Sequence, residues 1–475
     1  MSKNPDRQFD FADMQDFDAA RIEGVKRWVA ENLGGSVIAI KRLARWRPLW
    51  KVQYRDKNND ERAVLVRGDR PISTLFSLEH EMLVTQALEA NGVKVPHVHG
   101  WSDFPKAYVI DWVETGGDRD PGMIYTAIDT PTGMDPDRWQ AMMAYMEGLA
   151  RIHTIPVTEF KGIEWYLEPK TADEVALNII ERQYQFGIDN GLNDQVLACI
   201  MSWLRRNVPK HRTQASFVTG DAGQFMSRGA EVAAYVDFEI AHIGDIHWDL
   251  ACFRGRHPYE NMGDIPALYR HYEKASGTKL DLPVINYHTA SFLLFAAIAA
   301  KAFMEPDARD SNWIEGVFEY LSCARRALES IAELEGITLD HDLHLPAPNA
   351  DFFADTGLQK LVIDIERLPL ADAFADWERG ILGAIPKYQL NYARYGSWLT
   401  AETIKDISRV TGKPHDSLAA AETAIMGVIE KADPKLDAEL IRIMHRRTLR
   451  LSMLTAGTDP TDSNPFFVKL EPILK

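Results

Sequence analysis

Two aspartates and a glutamine lie in one stretch near the middle of the chain, and their side chains are those of a cation-assisted reaction. Asp221 follows the apolar run Phe217-Val218, Gln224 comes shortly after it, and Asp237 ends the run Val232–Val236. Because a hairpin between the two runs places both carboxylates at one edge, we expect the three side chains to lie together. Carboxylate and amide oxygens are ligands that Mg²⁺ prefers, and a carboxylate not bound to the metal can accept a proton from a hydroxyl group.

The same acids also fit a structural role, since aspartates commonly cap turns and solvate the ends of hairpins. The ordered series favours the chemical interpretation. Within a short distance the chain carries Gly220-Asp221, Asp237-Phe238-Glu239, Gly244-Asp245 and Asp249-Leu250-Ala251.

This series resembles the aminoglycoside phosphotransferase and choline kinase-like family, a branch of the protein-kinase fold. Thr219-Gly220-Asp221 stands where the family has its HGD catalytic loop, and the later motifs follow in the family's order. The resemblance covers roughly residues 20–335. Its earlier segments, in chain order, are Arg67 at a strand end, Glu81 in a helix, Gly92–Pro96, the hinge Tyr108–Val113 and the helix end Leu149–His153.

The resemblance implies ATP and Mg²⁺ as cofactors and a small-molecule hydroxyl group as acceptor. Asp221 would be the catalytic base, and Gln224 and Asp237 would bind the metal. The expected nucleotide contacts come from Arg67 paired with Glu81 at the phosphates and from the backbone of Asp111 and Val113 at the adenine. Three residues would support the loop: Thr219, Asp245 as a cap of the following helix, and Asp249 as a brace.

The chain departs from the family pattern at several positions. Thr219 replaces the histidine of HGD, and the loop is shorter, so that either Gln224 or Met226 is the equivalent of the metal-binding asparagine. Gln224 is preferred because Phe225 then lines up with the apolar residue that follows the family's asparagine, whereas Met226 cannot bind Mg²⁺. The bulky segment Arg42–Trp50 replaces a small Gly/Ser-rich turn. Its arginines (Arg42, Arg45 and Arg47) either contact phosphates or line a solvated strand edge. A third alternative is that the segment fills the nucleotide cleft.

Two functions therefore remain as hypotheses. The first is an ATP-dependent kinase that acts on a small metabolite, with a lean toward a hydroxyacyl or other catabolic intermediate. The second is a catalytically inactive, pseudokinase-like binding or regulatory module. Arg254 and Arg256, in the helix after Asp249, either reach an anionic substrate or form structural ion pairs.

The predicted fold class is α+β, in the bilobal protein-kinase-like arrangement with an appended all-α domain. Residues 1–17 are expected to be a flexible N-terminus, 18–117 an antiparallel, β-rich N-lobe and 118–340 a mainly helical C-lobe. Residues 350–475 are expected to form a helical C-terminal domain. The helices predicted there are 358–375, 402–411, 417–431 and 434–454, and they offer a homodimer interface, a lid or a partner dock.

Composition excludes some classes of protein. Hydrophobic residues make up 46% of the chain, as in globular proteins, and the net charge of -16 argues against a nucleic-acid or anionic-membrane binder. Three cysteines without a CxxC motif favour reduced thiols in the cytoplasm. The apolar run Ala290–Phe303 contains Lys301 and predicts a buried helix. The close histidine pairs, His341/His344 among them, lack Cys or HExxH partners, which disfavours zinc.

Overall fold

The computed structural model describes residues 17–43, 47–69, 72, 74–115, 135–164, 166–257, 262–304, 312–349, 353–458 and 468–474. Most of the predicted flexible N-terminus, Arg45 and Trp46 lie outside these residues. The chain forms two compact units, one of Met1–Arg70 with Pro96–Trp112 and one of Pro71–Val95 with Val113–Lys475. The predicted domain boundaries stay a prediction.

The first unit is one helix and one antiparallel sheet. Its elements are α1 (Phe17–Asn32), β1 (Ser36–Arg42), β2 (Leu49–Arg55), β3 (Glu61–Gly68), β4 (Val98–Asp103) and β5 (Lys106–Asp111). The strand order is β1-β2-β3-β5-β4. The sequence predicts all of these except β4, whose histidine, glycine and tryptophan lack the alternation of a strand.

The core of this unit forms between α1 and the sheet. Val25, Trp28 and Val29 recur at helical spacing and are buried against sheet residues such as Trp50 and Val52. The indole nitrogen of Trp28 donates to the carbonyl oxygen of Trp101 at 2.7 Å. The helix is therefore fixed to β4 by a hydrogen bond as well as by apolar packing.

Arg42 closes the turn between β1 and β2. Its Nη1 donates to the carbonyl oxygens of Leu43 and Arg47, at 3.0 Å each, and its guanidinium lies 5.6 Å from the ring centre of Trp50. The Leu43 amide also donates to the Leu49 carbonyl oxygen at 3.0 Å. These contacts give Arg42 a structural role in the bulky segment.

The described part of the second unit is mainly helical, with four short strands. Its elements up to residue 334 are α2 (Leu78–Ala90), α3 (Pro136–Ile152), α4 (Ala172–Asp189), α5 (Gln195–Arg206), β6 (Ser216–Val218), β7 (Phe225–Arg228), β8 (Glu231–Tyr235), β9 (His242–Gly244), α6 (His247–Arg256), α7 (Ile265–Ser276), α8 (Leu282–Ala302) and α9 (Trp313–Leu334). β6 pairs with β9 and β7 pairs with β8, both antiparallel. The hairpin is thus β7–β8, whereas the sequence pattern suggests pairing between β6 and β8.

Helix α8 is long and apolar enough to cross a membrane by length and composition alone, but 78% of its most apolar window is buried inside the protein. Its buried residues lie on every side of the helix, as expected for the central helix of a folded unit. This agrees with the predicted buried helix.

Four more helices follow: α10 (Ala354–Glu366), α11 (Ala373–Thr411), α12 (Leu418–Ile429) and α13 (Asp437–Met453). The predicted helix 358–375 is wrong, because α10 ends at Glu366 and Asp372 caps a new helix. That helix, α11, has 39 residues and includes Pro386, at a site where the sequence predicts no helix. Pro386 is buried, and packing there outweighs its low helix propensity.

The last described segment, residues 468–474, is bound to α9 and α6. The Leu470 amide donates to Glu329, and the Ile473 amide donates to Glu333 at 2.7 Å. Arg254 of α6 donates its Nε to the Glu471 carbonyl oxygen at 2.9 Å. The predicted α+β fold class is confirmed, because the chain has an antiparallel β unit, a helical unit and further C-terminal helices.

Candidate active site

The loop that carries Asp221 is anchored by a buried carboxylate on α6. Asp249 is fully buried and accepts hydrogen bonds from the Thr219 amide (2.7 Å), the Thr219 hydroxyl (2.9 Å) and the Gly220 amide (2.9 Å). Hydrogen bonds to a buried charged group are among the stronger ones in proteins. The backbone immediately before Asp221 is therefore fixed to α6.

A histidine immediately after α3 completes this anchor. His153 Nε2 lies 3.0 Å from Asp249 Oδ2, and its Nδ1 lies 2.6 Å from the Tyr272 hydroxyl oxygen. With Nε2 protonated, His153 donates to Asp249 and accepts from Tyr272. The loss of the loop histidine at Thr219 thus leaves the loop well supported.

Gly220 is required by its backbone conformation and its surroundings. Its φ is +83°, and a Cβ atom there would lie 2.2 Å from the Ile240 carbonyl oxygen. Its own carbonyl oxygen accepts from Trp248 Nε1 at 2.8 Å and from Cys252 Sγ at 3.2 Å. Only glycine fits this close approach of two backbone segments.

Gln224 joins the two predicted carboxylates. Its Nε2 donates to Asp221 Oδ2 at 2.8 Å and to Asp237 Oδ2 at 2.7 Å. Arg256 Nη1 donates to the other oxygen of Asp221 at 2.6 Å. Met226, the other candidate for the asparagine position, is buried on β7. The structure therefore brings together Asp221, Gln224 and Asp237, as the sequence predicts.

The surroundings of Asp221 make its carboxylate more basic than usual. Burial is the largest influence and raises its pKa, and the nearby Asp237 charge acts in the same direction. The Arg256 charge and the hydrogen bonds from Arg256 and Gln224 oppose this, but the net pKa is raised. A carboxylate with a raised pKa is a better proton acceptor at neutral pH.

Oxygen ligands suited to Mg²⁺ gather on the other side of Gln224. One carboxylate oxygen from each of Glu81, Asp237 and Glu239 lies within 4.8 Å of the others. All the donors are hard oxygen atoms, so the set fits Mg²⁺. Rotation of the Gln224 amide about its last bond exchanges nitrogen and oxygen and would add a further oxygen. Asp237 has φ +71°, an uncommon conformation that directs its carboxylate into this group.

Asp245 belongs to a separate ion-pair network. Arg212 donates to both of its oxygens, at 2.9 and 3.0 Å, and the His247 amide donates to Oδ1 at 3.1 Å. Burial opposes ionisation, but hydrogen bonds from His247 and Arg212, together with the His288 imidazole 3.7 Å away, hold the Asp245 pKa well below its usual value. The contact with the His247 amide lies at the first turn of α6, where the sequence places a helix cap.

The predicted nucleotide-binding residues lie in both units. Arg67 is on β3, and Asp111 ends β5 with its Oδ1 2.8 Å from His99 Nε2. In the second unit Glu81 is buried on α2, and Val113 is half-buried. The phosphate and adenine contacts assigned to these residues stay predictions.

The two arginines of α6 have different partners. Arg256 contacts Asp221, whereas Arg254 donates to Glu333 and to Asn286. Glu239 belongs to the Asp-Phe-Glu motif, but the sequence pattern gives no indication that its carboxylate lies with those of Glu81 and Asp237. The contact between Arg256 and Asp221 likewise has no local pattern in the sequence that would predict it.

One family model matches the part of the chain that contains these residues. Residues 49–281 match the model of the phosphotransferase enzyme family (APH). A comparison with curated proteins gives no match.

Solved structures with a similar arrangement include three phosphotransferases. Choline kinase LicA from Streptococcus pneumoniae is 14% identical, with a TM-score of 0.44, over 66% of this chain and 98% of that one. A macrolide 2'-phosphotransferase, MphH from Brachybacterium faecium, is 12% identical, with a TM-score of 0.43, over 61% and 98%. A thermostable mutant of aminoglycoside phosphotransferase APH(4)-Ia with ADP and hygromycin B is 12% identical, with a TM-score of 0.42, over 65% and 98%.

The matched residues contain the whole loop from Thr219 to Asp249, together with Arg67 and Glu81. The family resemblance and the prediction of a phosphotransferase are therefore confirmed by the match of residues 49–281 to the phosphotransferase enzyme family.

Proposed function

We propose that this protein transfers the γ-phosphoryl group of ATP to a hydroxyl group of a small metabolite, with Asp221 as the base. The observation that carries the proposal is the Gln224 amide between Asp221 and Asp237. It sets a proton acceptor beside a group of oxygen ligands, the two parts that phosphoryl transfer needs.

In this mechanism Asp221 orients the acceptor hydroxyl and takes its proton. Each carboxylate oxygen has two lone pairs, so Asp221 can accept the hydroxyl bond in addition to the one from Arg256. Asp237, with Gln224, Glu81 and Glu239, would hold Mg²⁺, which when bound neutralises charge on the ATP phosphates. Asp249 keeps the loop rigid, because positioning contributes most of the catalysis in such sites.

The acceptor we propose carries an anionic group near its hydroxyl, as a hydroxyacyl or other catabolic intermediate does. Arg256 supports this, because its guanidinium lies next to the base and is suited to bind a carboxylate or phosphate. A polycationic acceptor would meet that charge unfavourably. We therefore favour an anionic acceptor over an aminoglycoside.

An Asp221→Asn variant tests the assignment of the base. It should lower phosphotransfer about 10²- to 10⁴-fold and leave the thermal stabilisation by Mg-ATP intact. Asp264→Asn is the matched control, because Asp264 caps α7 from the surface and asparagine caps equally well. If Asp221→Asn kept full activity, the assignment would be wrong. If the wild type bound no Mg-ATP, the inactive binding module would replace the kinase.

A screen of hydroxy acids, neutral polyols and choline for ATP consumption tests the acceptor. Arg256→Met should raise KM for a hydroxy acid at least tenfold, with partial recovery in Arg256→Lys and a small effect on neutral polyols. Preferential turnover of choline or of neutral polyols would contradict the anionic acceptor while leaving phosphotransfer itself in place.

We place the reaction in the cytoplasm, consistent with three buried, reduced thiols at Cys199, Cys252 and Cys323. We assign no nucleic-acid or membrane partner to this protein. We also propose a homodimer through the C-terminal helices, because α10, the segment after it and the start of α11 expose large apolar side chains. These are Leu361, Ile363, Leu368, Leu370 and Leu382. Light scattering of the purified protein measures this directly, and a monomer at micromolar concentration would rule it out.

A further inference from the structure

Three side chains with metal-binding atoms meet far along the chain from Asp221. Glu329 is on α9, His341 is in the segment that follows α9, and His445 is on α13. One ligand atom from each lies within 4.8 Å of the other two. Glu329 Oε1 is 3.2 Å from His445 Nε2 and 4.0 Å from His341 Nδ1.

Each of the two imidazole rings has one buried nitrogen without a hydrogen-bond partner among the described residues, although the His341 side chain as a whole is 25% exposed. His445 is completely buried, and its Nδ1 has no hydrogen-bond partner among the described residues. His341 Nδ1 is also buried without such a partner, although it faces the Glu329 carboxylate. The rings meet edge to face, with their centres 4.8 Å apart. Buried polar atoms in folded proteins normally have partners, so the unpartnered His341 Nδ1 beside the Glu329 carboxylate suggests a missing ligand.

The carboxylate of Glu329 is held in place by groups outside the cluster. Arg325 Nη1 donates to Oε1 at 2.7 Å, and the Leu470 amide donates to Oε2 at 2.8 Å. Carboxylates that bind metals are usually oriented by such outer hydrogen bonds. Arg325 also brings a positive charge close to the cluster, which lowers the affinity for a cation without removing the ligand atoms.

We propose that Glu329, His341 and His445 bind a divalent first-row transition ion such as Zn²⁺, with water as the fourth ligand. Two imidazole nitrogens and one carboxylate oxygen are a set that Zn²⁺ accepts. Ligand atoms about 2.1 Å from a tetrahedral zinc ion lie about 3.4 Å from one another, and the distances of 3.2 and 4.0 Å lie on either side of this value.

The ion would join α9 to the segment around His341 and to α13, and it is independent of the phosphotransfer site. This site cannot be predicted from the sequence. The histidine closest to His341 along the chain is His344, whose side chain is 82% exposed and is not part of the cluster. His445 lies much further along and reaches Glu329 only because α13 packs against α9. Neighbours in the sequence therefore give no indication of this ligand set.

The test uses the full-length protein without a histidine tag, stripped with EDTA and then titrated with Zn²⁺ or Co²⁺. We expect one ion per chain by elemental analysis, a higher thermal midpoint, and the visible absorption of tetrahedral cobalt. His341→Ala should weaken binding at least tenfold, whereas the control His344→Ala should leave it unchanged. His341 lies outside any helix or strand, so its variant should fold even if His445→Gln does not.

Absence of saturable binding in the wild type would overturn the proposal. Binding that is equal in the wild type and His341→Ala would also overturn it, because the ion would then bind elsewhere. Loss of binding in both histidine-segment variants, His341→Ala and His344→Ala, would assign the ion to a different ligand set.

Discussion

Gly220 offers a direct test of how tightly the active-site loop is packed. In Gly220→Ala the new methyl group would lie 2.2 Å from the Ile240 carbonyl oxygen and 2.9 Å from the Ala241 amide nitrogen. Both neighbours are backbone atoms, so no side-chain rotation relieves the contact. The left-handed conformation costs about 1 kcal/mol in alanine, and crowding of this kind costs about 1–3 kcal/mol, so we expect a loss of about 2–4 kcal/mol in unfolding free energy.

The control is Gly229→Ala at the tip of the β7–β8 hairpin. Gly229 also has a positive φ, +54°, but the closest atom to its new methyl group is Asp137 Oδ2 at 3.6 Å. This variant carries the conformational cost alone, about 1 kcal/mol. The difference between the two variants therefore measures the contact with Ile240.

The assays are urea denaturation and turnover of ATP with an acceptor from the screen. Relief of the contact in Gly220→Ala must move the loop, and a displacement of about 1 Å at a reacting group costs on the order of 100-fold in rate. We expect that loss in Gly220→Ala and a change of only a few fold in Gly229→Ala. Equal stability and equal turnover of the two variants would refute the packing argument for this loop.

Two further predictions concern stability. Burial lowers the pKa of His242 to about 4, so below about pH 6.5 the unfolded chain binds a proton at this side chain and the folded chain does not. The free energy of unfolding should therefore fall by about 3 kcal/mol between pH 6.5 and pH 4. His242→Asn should make this dependence of unfolding free energy on pH less steep, as measured by denaturation curves at several pH values. An unchanged slope would contradict the assignment. Glu333→Gln leaves the buried Arg254 without its counter-charge and should lower the free energy of unfolding by about 3–5 kcal/mol. The control, Glu335→Gln nearby, should change it very little. Equal melting temperatures of the two variants would contradict this role of Glu333.

The catalytic loop could be predicted from the sequence because its signals are local. The turn at Arg228-Gly229 and the apolar runs on either side of it place Asp237 near Gln224. The pairing of β6 could not be predicted, because a strand of three residues has no periodicity from which to choose between β8 and β9. The approach of Asp221 to Asp237 was thus predicted correctly from an incorrect strand pairing.

Contacts between distant parts of the chain left no pattern in the sequence. Arg256 and Arg254 are both charged residues of one short helix, and nothing local shows that one meets the base and the other Glu333. The continuity of α11 was hidden for another reason. Pro386 predicts a break, but it is buried where tertiary packing favours the helix.

Helix α6 connects the base with the C-terminal end of the chain. Asp249 in its first turn fixes the loop before Asp221, and Arg256 in its last turn contacts Asp221 itself. Between them Arg254, almost fully buried, is held by Glu333 and by the carbonyl oxygen of Glu471. Since a buried arginine without these partners would be strongly destabilising, the end of the chain is part of the support of α6. The C-terminal residues therefore stabilise the helix on which the geometry of the base depends.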